Sequence, residues 1–262
     1  MIGVFDSGIG GLTVVKELFR LLPEYQILYF GDTARTPYGT KSEKTIKKYA
    51  FQDTEFLLEK GAKIIIVACN TASAVAAEDL RKKYQIPIFE VITPAVEKSL
   101  QLTKNKRIGI IGTQATIKSG IYEKLIKKSD NQAVVFPKAC PLFVPLVEEN
   151  WMKKPETKSI TKKYLQSLKL KNIDTLILGC THHPLLKEVI QAKIGKRRSL
   201  VDPGQETVLA VQQFLKSHPE IESNLLKGDD HKFYLSDLTT KFQDIAHRWL
   251  EKKIKLQLVE VE

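Results

Sequence analysis

The sequence predicts an α/β fold of two similar units built on mostly parallel sheets. Three observations carry this expectation. Short apolar runs of strand length alternate with longer amphipathic stretches along the whole chain, the pattern of successive βαβ units. The segment 61-GAKIIIVACNTASA-74 returns in outline as 171-KNIDTLILGCTHHPLL-186, and when the two are overlaid Cys69 falls on Cys180. The opening 3-GVFDSG-8, a strand entering a polar turn, has a weaker counterpart in 109-GIIGTQATIKSG-120.

Taken in order, residues 2–5 read as a buried strand, followed by the turn 8-GIGG-11 and the helix 11-GLTVVKELFRLL-22. A strand over 26–30 precedes the long helical stretch 41-KSEKTIKKYAFQDTEFLLEKG-61. The apolar run 63–68 is a strand, 73-SAVAAEDLRKKY-84 a helix and 88–92 a strand. A helix and a basic turn through 93-TPAVEKSLQLTKNK-106 mark the boundary between the units, and no low-complexity linker lies there. Beyond it come strands at 107–111, 133–136, 174–178 and 199–201, with 156-ETKSITKKYLQSLKL-170 as a helix. The chain closes with the helix 204-GQETVLAVQQFLKS-217, a strand at 232–235 and the helix 238-LTTKFQDIAHRWL-250.

Composition narrows the classes. The 262 residues are 43% hydrophobic and 27% charged, ordinary for a globular protein with a substantial core. The apolar runs are strand-sized, which excludes a transmembrane helix and a membrane partner. The N-terminus has no basic leader and enters a strand at once, unlike a signal peptide. Three cysteines are too few and odd in number for a disulfide scaffold, so a cytoplasmic protein with reduced thiols is expected. The net charge of +11 invites a nucleic-acid reading. Its lysines are scattered over polar faces and loops without a nucleic-acid motif, so a solvated basic surface is favoured.

Ligands of open α/β sheets bind beyond the carboxyl ends of strands. Asp6, Ser7, Cys69, Asn70, Thr71, Thr113, Cys180, Thr181 and His182 all follow predicted strands. The 8-GIGG-11 turn does not fit a dinucleotide fingerprint, because position 13 is Thr13, nor a P-loop, because Ile9 follows Gly8. It suits a tight turn whose N–H groups meet an anion at a helix start. Asp6 and Ser7 have a plainer reading as caps of the helix near Gly11. Asp32 divides evenly between holding its own loop and a functional role.

The cysteines allow three readings. Packing suits Cys140, which lies among apolar residues and prolines in 139-ACPLFV-144. Zinc ligation by Cys69, Cys180, His182 and His183 lacks the CxxC spacing of such sites, so no metal is assigned. The third reading is acid–base chemistry by a thiol pair, each at a strand end before a helix whose N-terminus favours a thiolate. Two equivalent thiols facing one another suit inversion at a carbon bearing an acidic hydrogen: one removes the proton and the other delivers one to the opposite face.

The stretches 3-GVFDSGIGGLTV-14, 31-GDTARTPYG-39, 67-VACNTASA-74, 139-ACPLFVPLVEE-149 and 179-GCTHHPLL-186, in this order over nearly the whole chain, resemble the glutamate racemases of the cofactor-independent aspartate/glutamate racemase superfamily. The resemblance implies interconversion of L- and D-glutamate without a cofactor, supplying D-glutamate for peptidoglycan. It implies two α/β domains, 1–95 with the returning segment 208–262 and 96–207, related by pseudo-twofold symmetry about a shared crevice. Cys69 would attack D-glutamate with help from Asp6, and Cys180 would attack L-glutamate with help from His182. Glu148 would be a further carboxylate at the site. Asp6, Ser7, Pro37, Tyr38, Gly39, Asn70, Thr71, Thr181, His182 and, from a less distinctive motif, Thr113 and Thr116 would contact substrate. The resemblance allows a homodimer. The chain starts at its first strand, so the N-terminal extension by which some members are regulated is expected to be absent. Aspartate or hydantoin racemisation would use the same two thiols. A DNA- or gyrase-binding protein and a redox or metal-binding protein are the readings from other classes.

Overall fold

The computed structural model describes residues 1–261. Its first unit opens with β1 (Ile2–Asp6), α1 (Leu12–Leu21), β2 (Ile27–Gly31), α2 (Glu43–Glu59), β3 (Ile64–Val67), α3 (Asn70–Lys83) and β4 (Ile88–Glu90). Helix α4 (Ile92–Leu102) leads into β5 (Arg107–Gly112), α5 (Gln114–Lys118), α6 (Ile121–Ser129), β6 (Val134–Ala139), α7 (Phe143–Glu148), α8 (Pro155–Leu170), β7 (Thr175–Gly179), α9 (Lys187–Ile194) and β8 (Ser199–Val201). The chain then runs through α10 (Pro203–Ser217), α11 (Pro219–Glu222), β9 (Lys232–Leu235), α12 (Thr240–Leu250) and β10 (Leu256–Leu258).

The strands form two sheets, ordered β10-β9-β2-β1-β3-β4 and β6-β5-β7-β8, and every strand pairing is parallel. The shared part of the two orders is the same: β2-β1-β3-β4 corresponds to β6-β5-β7-β8. The likeness of the two cysteine segments is therefore a likeness of position, since Cys69 follows β3 and Cys180 follows the equivalent β7. Strands β1, β2, β3 and β7 are buried at every residue, because helices cover both faces of a parallel sheet. Strand β6 is an edge and tolerates Pro137, whose missing N–H would break a central ladder. Strands β9 and β10 extend the first sheet, so the C-terminal segment returns to the unit that opened the chain.

Several boundaries differ from the expectations. Helix α3 begins at Asn70 rather than 73, with Cys69 extended at its N-cap. Asn and Thr are poor helix formers in isolation and hide this early start. The strand expected over 88–92 stops at Glu90, whose carboxylate accepts the N–H of Ile92 (2.6 Å) and Thr93 (3.0 Å) and so opens α4. Strand β6 runs on to Ala139, beyond the expected end at 136. Strand β10 and the helices α6, α7 and α9 have no counterpart in the expected elements. No helix among the described residues is long and apolar enough to cross a membrane.

Candidate active site

Within each parallel sheet the carboxyl ends point one way, and the two sets of ends meet at an enclosed cavity of about 30 Å³. Ser7, Pro37, Tyr38, Gly39, Cys69, Asn70, Thr71, Thr113, Cys180, Thr181 and His182 line it, all residues singled out from the sequence. Thr36 and Val144 complete the wall and were not anticipated. Both lie inside quoted motifs; Val144 is apolar, and Thr36, although it has a hydroxyl like the threonines singled out, follows no predicted strand.

Cys69 supplies its Sγ from the N-cap of α3, 3.6 Å from Ser7 Oγ. Burial and the nearby Asp6 charge push its thiol up to about 12, so Cys69 is an S–H donor near neutrality. Asp6 is fully buried behind the cavity wall. One of its oxygens accepts the Gly8 N–H at 3.2 Å and the other accepts Thr181 Oγ1 at 3.3 Å. Burial raises its carboxyl above the usual range, although the His182 charge and these hydrogen bonds oppose the rise. Helix α1 starts at Leu12 with Gly11 as its N-cap, and Asp6 bonds backbone N–H groups of the turn that leads into it, Gly8 and Gly11, so its capping role and its place beside the cavity coexist.

Cys180 lies across the cavity with its Sγ 3.8 Å from His182 Nδ1, and His182 Nε2 stands 3.0 Å from Glu148 Oε1. Burial disfavours the charged imidazole. The bonds to Cys180 and Glu148 outweigh burial and raise His182 to about 10. His182 is thus an imidazolium near neutrality, donating one N–H toward a sulfur and the other to a carboxylate. The Trp249 ring of α12 packs against its ring in a T-shaped arrangement with centroids 6.0 Å apart; sequence reasoning had no signal for this contact across the fold. His183 points away, buried against Phe143, and burial lowers it to about 3.

Glu148 and Thr116 lie outside the wall. Glu148 reaches the site only through His182. Thr116 is buried and joins Thr71 and Thr113 in a hydroxyl triangle with edges of 3.0–3.3 Å across the two units. Tyr122 Oη donates to Asn70 Oδ1 at 2.6 Å, which turns the amide nitrogen of Asn70 the other way. Cys140 is buried with its Sγ 3.7 Å from the Lys138 carbonyl, as a packing residue would be. Asp32 accepts from Tyr38 Oη, Arg35 Nε (2.7 Å) and Ser236 Oγ (2.8 Å), so it holds the loop that forms one wall.

Chemically, the cavity sets a thiol on one side against a thiol beside an imidazolium on the other. Backbone N–H groups, hydroxyls and an amide between them can bind carboxylates. Residues 2–211 match the family model described as Asp/Glu/Hydantoin racemase. A glutamate racemase of Geobacter metallireducens is 43% identical over 253 residues, covering 97% of this chain and 93% of that protein. The crystal structure of a glutamate racemase isoform from Bacillus anthracis superposes with a TM-score of 0.94 at 36% identity, covering 99% of this chain and 97% of that one. A glutamate racemase of Francisella tularensis, solved in complex with D-glutamate, gives 0.90 at 38% identity with the same coverage. The chain belongs to the Asp/Glu/hydantoin racemase family, among its glutamate racemases.

Proposed function

We propose that the protein interconverts L- and D-glutamate by a two-thiol proton transfer and so provides D-glutamate for peptidoglycan. The observation that carries this reading is the pair of cysteines at equivalent strand ends, β3 and β7, lining one cavity from opposite units. With L-glutamate bound, the Cys180 thiolate takes the α-proton while the His182 imidazolium stabilises the sulfur before transfer. The Cys69 S–H then delivers its proton to the opposite face of the planar carbanion. The products are D-glutamate, a Cys180 thiol and a Cys69 thiolate, so protons and charge balance. In the reverse direction Asp6, whose raised carboxyl makes it a better base than an ordinary one, helps Cys69 lose its proton. Glu148 holds His182 in its charged form and fixes its ring. Ser7, Asn70, Thr71, Thr113, Thr181 and the Pro37–Gly39 backbone bind the two carboxylates. Thr116 acts through Thr71 and Thr113.

The moving bodies in this reading are 1–95 with 208–262 and 96–207. A cytoplasmic location is part of this reading, as a compartment in which thiols stay reduced. Its assembly, for which a homodimer is proposed, is read from its mass in solution. The decisive experiment is chiral analysis of glutamate and aspartate after incubation with purified protein in heavy water. The expected result is racemised glutamate, with solvent deuterium in the newly formed enantiomer and little in the recovered substrate. Equal turnover of aspartate would sink the glutamate assignment, and retention of the original hydrogen in product would sink the two-thiol step.

A further inference from the structure

Helix α2 buries a stripe of Ile46, Ala50, Phe56 and Leu57, and a charged residue, Asp53, sits on that same stripe with no solvent exposure. Its Oδ1 accepts from Arg35 Nη2 at 3.0 Å, and its Oδ2 lies 2.9 Å from Tyr38 Oη. Tyr38 Oη also contacts Asp32 Oδ2. A phenol has one hydrogen and here faces two carboxyl oxygens, so one of these contacts must be a carboxylic O–H donating to the phenol oxygen. Asp32 already accepts from Arg35 Nε and Ser236 Oγ and takes the Tyr38 hydrogen as an acceptor. Asp53 is left as the donor.

We infer that Asp53 carries a proton in the working protein and, as a neutral acid, is a positioning residue that anchors the substrate-binding loop through Tyr38. Charge counting agrees. Arg35 beside one carboxylate is neutral, whereas a second carboxylate would leave an unbalanced buried negative charge, a costly state. The charged or titratable groups that act on Asp53 are Asp32 after β2, Arg35 and Tyr38 on the loop, and Asp6 at the end of β1. Burial and the Asp32 and Asp6 charges raise its carboxyl well above the usual range, against the opposing effects of Arg35 and Tyr38.

The consequence lies in the loop. Thr36, Pro37, Tyr38 and Gly39 form one wall of the cavity, and the buried Tyr38 ring is their attachment to the body of the first unit. Arg35 stacks 4.2 Å over Tyr49 of α2 and adds a second hold on the same helix. A neutral Asp53 also keeps a further negative charge away from Asp6, which must exchange protons with Cys69 in the proposed reaction.

The test compares Asp53→Asn with Asp53→Ala. An amide copies the protonated acid: its N–H₂ donates to Tyr38 Oη and its oxygen accepts from Arg35. Asp53→Asn should keep both KM and kcat for glutamate within about twofold of the parent. Asp53→Ala, which leaves buried polar groups unpaired, should raise KM by about tenfold or more with a smaller change in kcat. Infrared difference spectra should show a carboxylic-acid band at neutral pH in the parent that is missing in Asp53→Asn. A failing Asn variant, an Ala variant with unchanged KM, or no such band would each overturn the inference. If the Ala variant does not fold, the Asn kinetics and the band decide alone. The inference rests on the glutamate reading for its KM readout, but the infrared band does not. An inactive parent would refute the reading, and an active parent with a failing Asn variant only the inference.

Discussion

In the proposed reaction Cys69 and Cys180 share the work, and the residues beside them make the two thiols unlike each other. Either Cys69→Ala or Cys180→Ala should lower racemisation in both directions by about 10²–10⁴-fold or more, the usual worth of a positioned acid or base. Each variant should still exchange one enantiomer's α-hydrogen slowly in heavy water: D-glutamate when Cys69 remains, L-glutamate when Cys180 remains. Full activity in either variant, followed by chiral chromatography, would exclude the paired mechanism. His182 gives the pH dependence. Its folded value of about 10 lies above the ordinary histidine value, so the charged form and the stability it contributes are fully present below that ordinary value. Both are lost as pH rises through about 10. The L-to-D rate should therefore fall on the alkaline side. Glu148→Gln keeps an acceptor for His182 but removes the negative charge that helps raise it, so this limb should move to lower pH in a rate profile. An unmoved limb would mean that Glu148 does not act through His182.

The turn between β1 and α1 shows how one short segment controls the site. Tyr29 Oη donates to the Gly8 carbonyl at 2.6 Å and pins the turn to β2. Gly10 faces the opposite unit: a Cβ there would come within 2.4 Å of Thr181 Oγ1 and 2.6 Å of His182 Nδ1. Gly10→Ala must displace His182 or widen the crevice. A shift of this kind predicts a loss of about 100-fold in kcat/KM, comparable with a 1 Å misplacement of a catalytic group, while the melting temperature changes little. Near-native kinetics for this variant would show that the crevice is looser than the contact distances imply. Thr13 Oγ1 reinforces the same junction by donating to the Thr181 carbonyl at 3.0 Å, which ties α1 to the segment bearing Cys180.

At the scale of the molecule, the carboxyl ends of the two sheets meet at one cavity that both thiols line, and both cysteines are buried. A substrate that reaches two buried thiols from between the units is expected to enter by their parting and to be held by their closing again. Closure excludes water from the thiols and strengthens every electrostatic interaction in the site. Saturating glutamate should then slow alkylation of both Cys69 and Cys180, read by mass spectrometry of the labelled peptides, and should leave the buried Cys140 unlabelled throughout. Protection of one active thiol without the other would contradict a shared crevice.

The sequence by itself determined the α/β class, the repeat of a cysteine-bearing strand and nearly all of the cavity wall. Local chemistry is enough for the strands and their ends: parallel strands buried on both faces must be apolar, and the polar residues that end them face the ligand, whereas Pro37, Tyr38 and Gly39 came only from the family resemblance. Asn70 and Thr71 were legible as site residues even though their place in the first turn of α3 was not. What only the tertiary structure decided depends on pairs distant in sequence. Trp249, Tyr122 and Asp53 lie outside the quoted family motifs, and nothing beside His182, Asn70 or Tyr38 in sequence announces them as partners. The family resemblance implied that the segment from 208 returns to the first unit, but the pairing of β9 with β2 and of β10 with β9 is of the same kind, since a short apolar run carries no mark of its neighbour. Asp53 did leave one trace, a carboxylate in the apolar register of a helix. Its meaning appears only where Arg35, Tyr38 and Asp32 meet it, because the charge state of a buried acid is set by its surroundings in space.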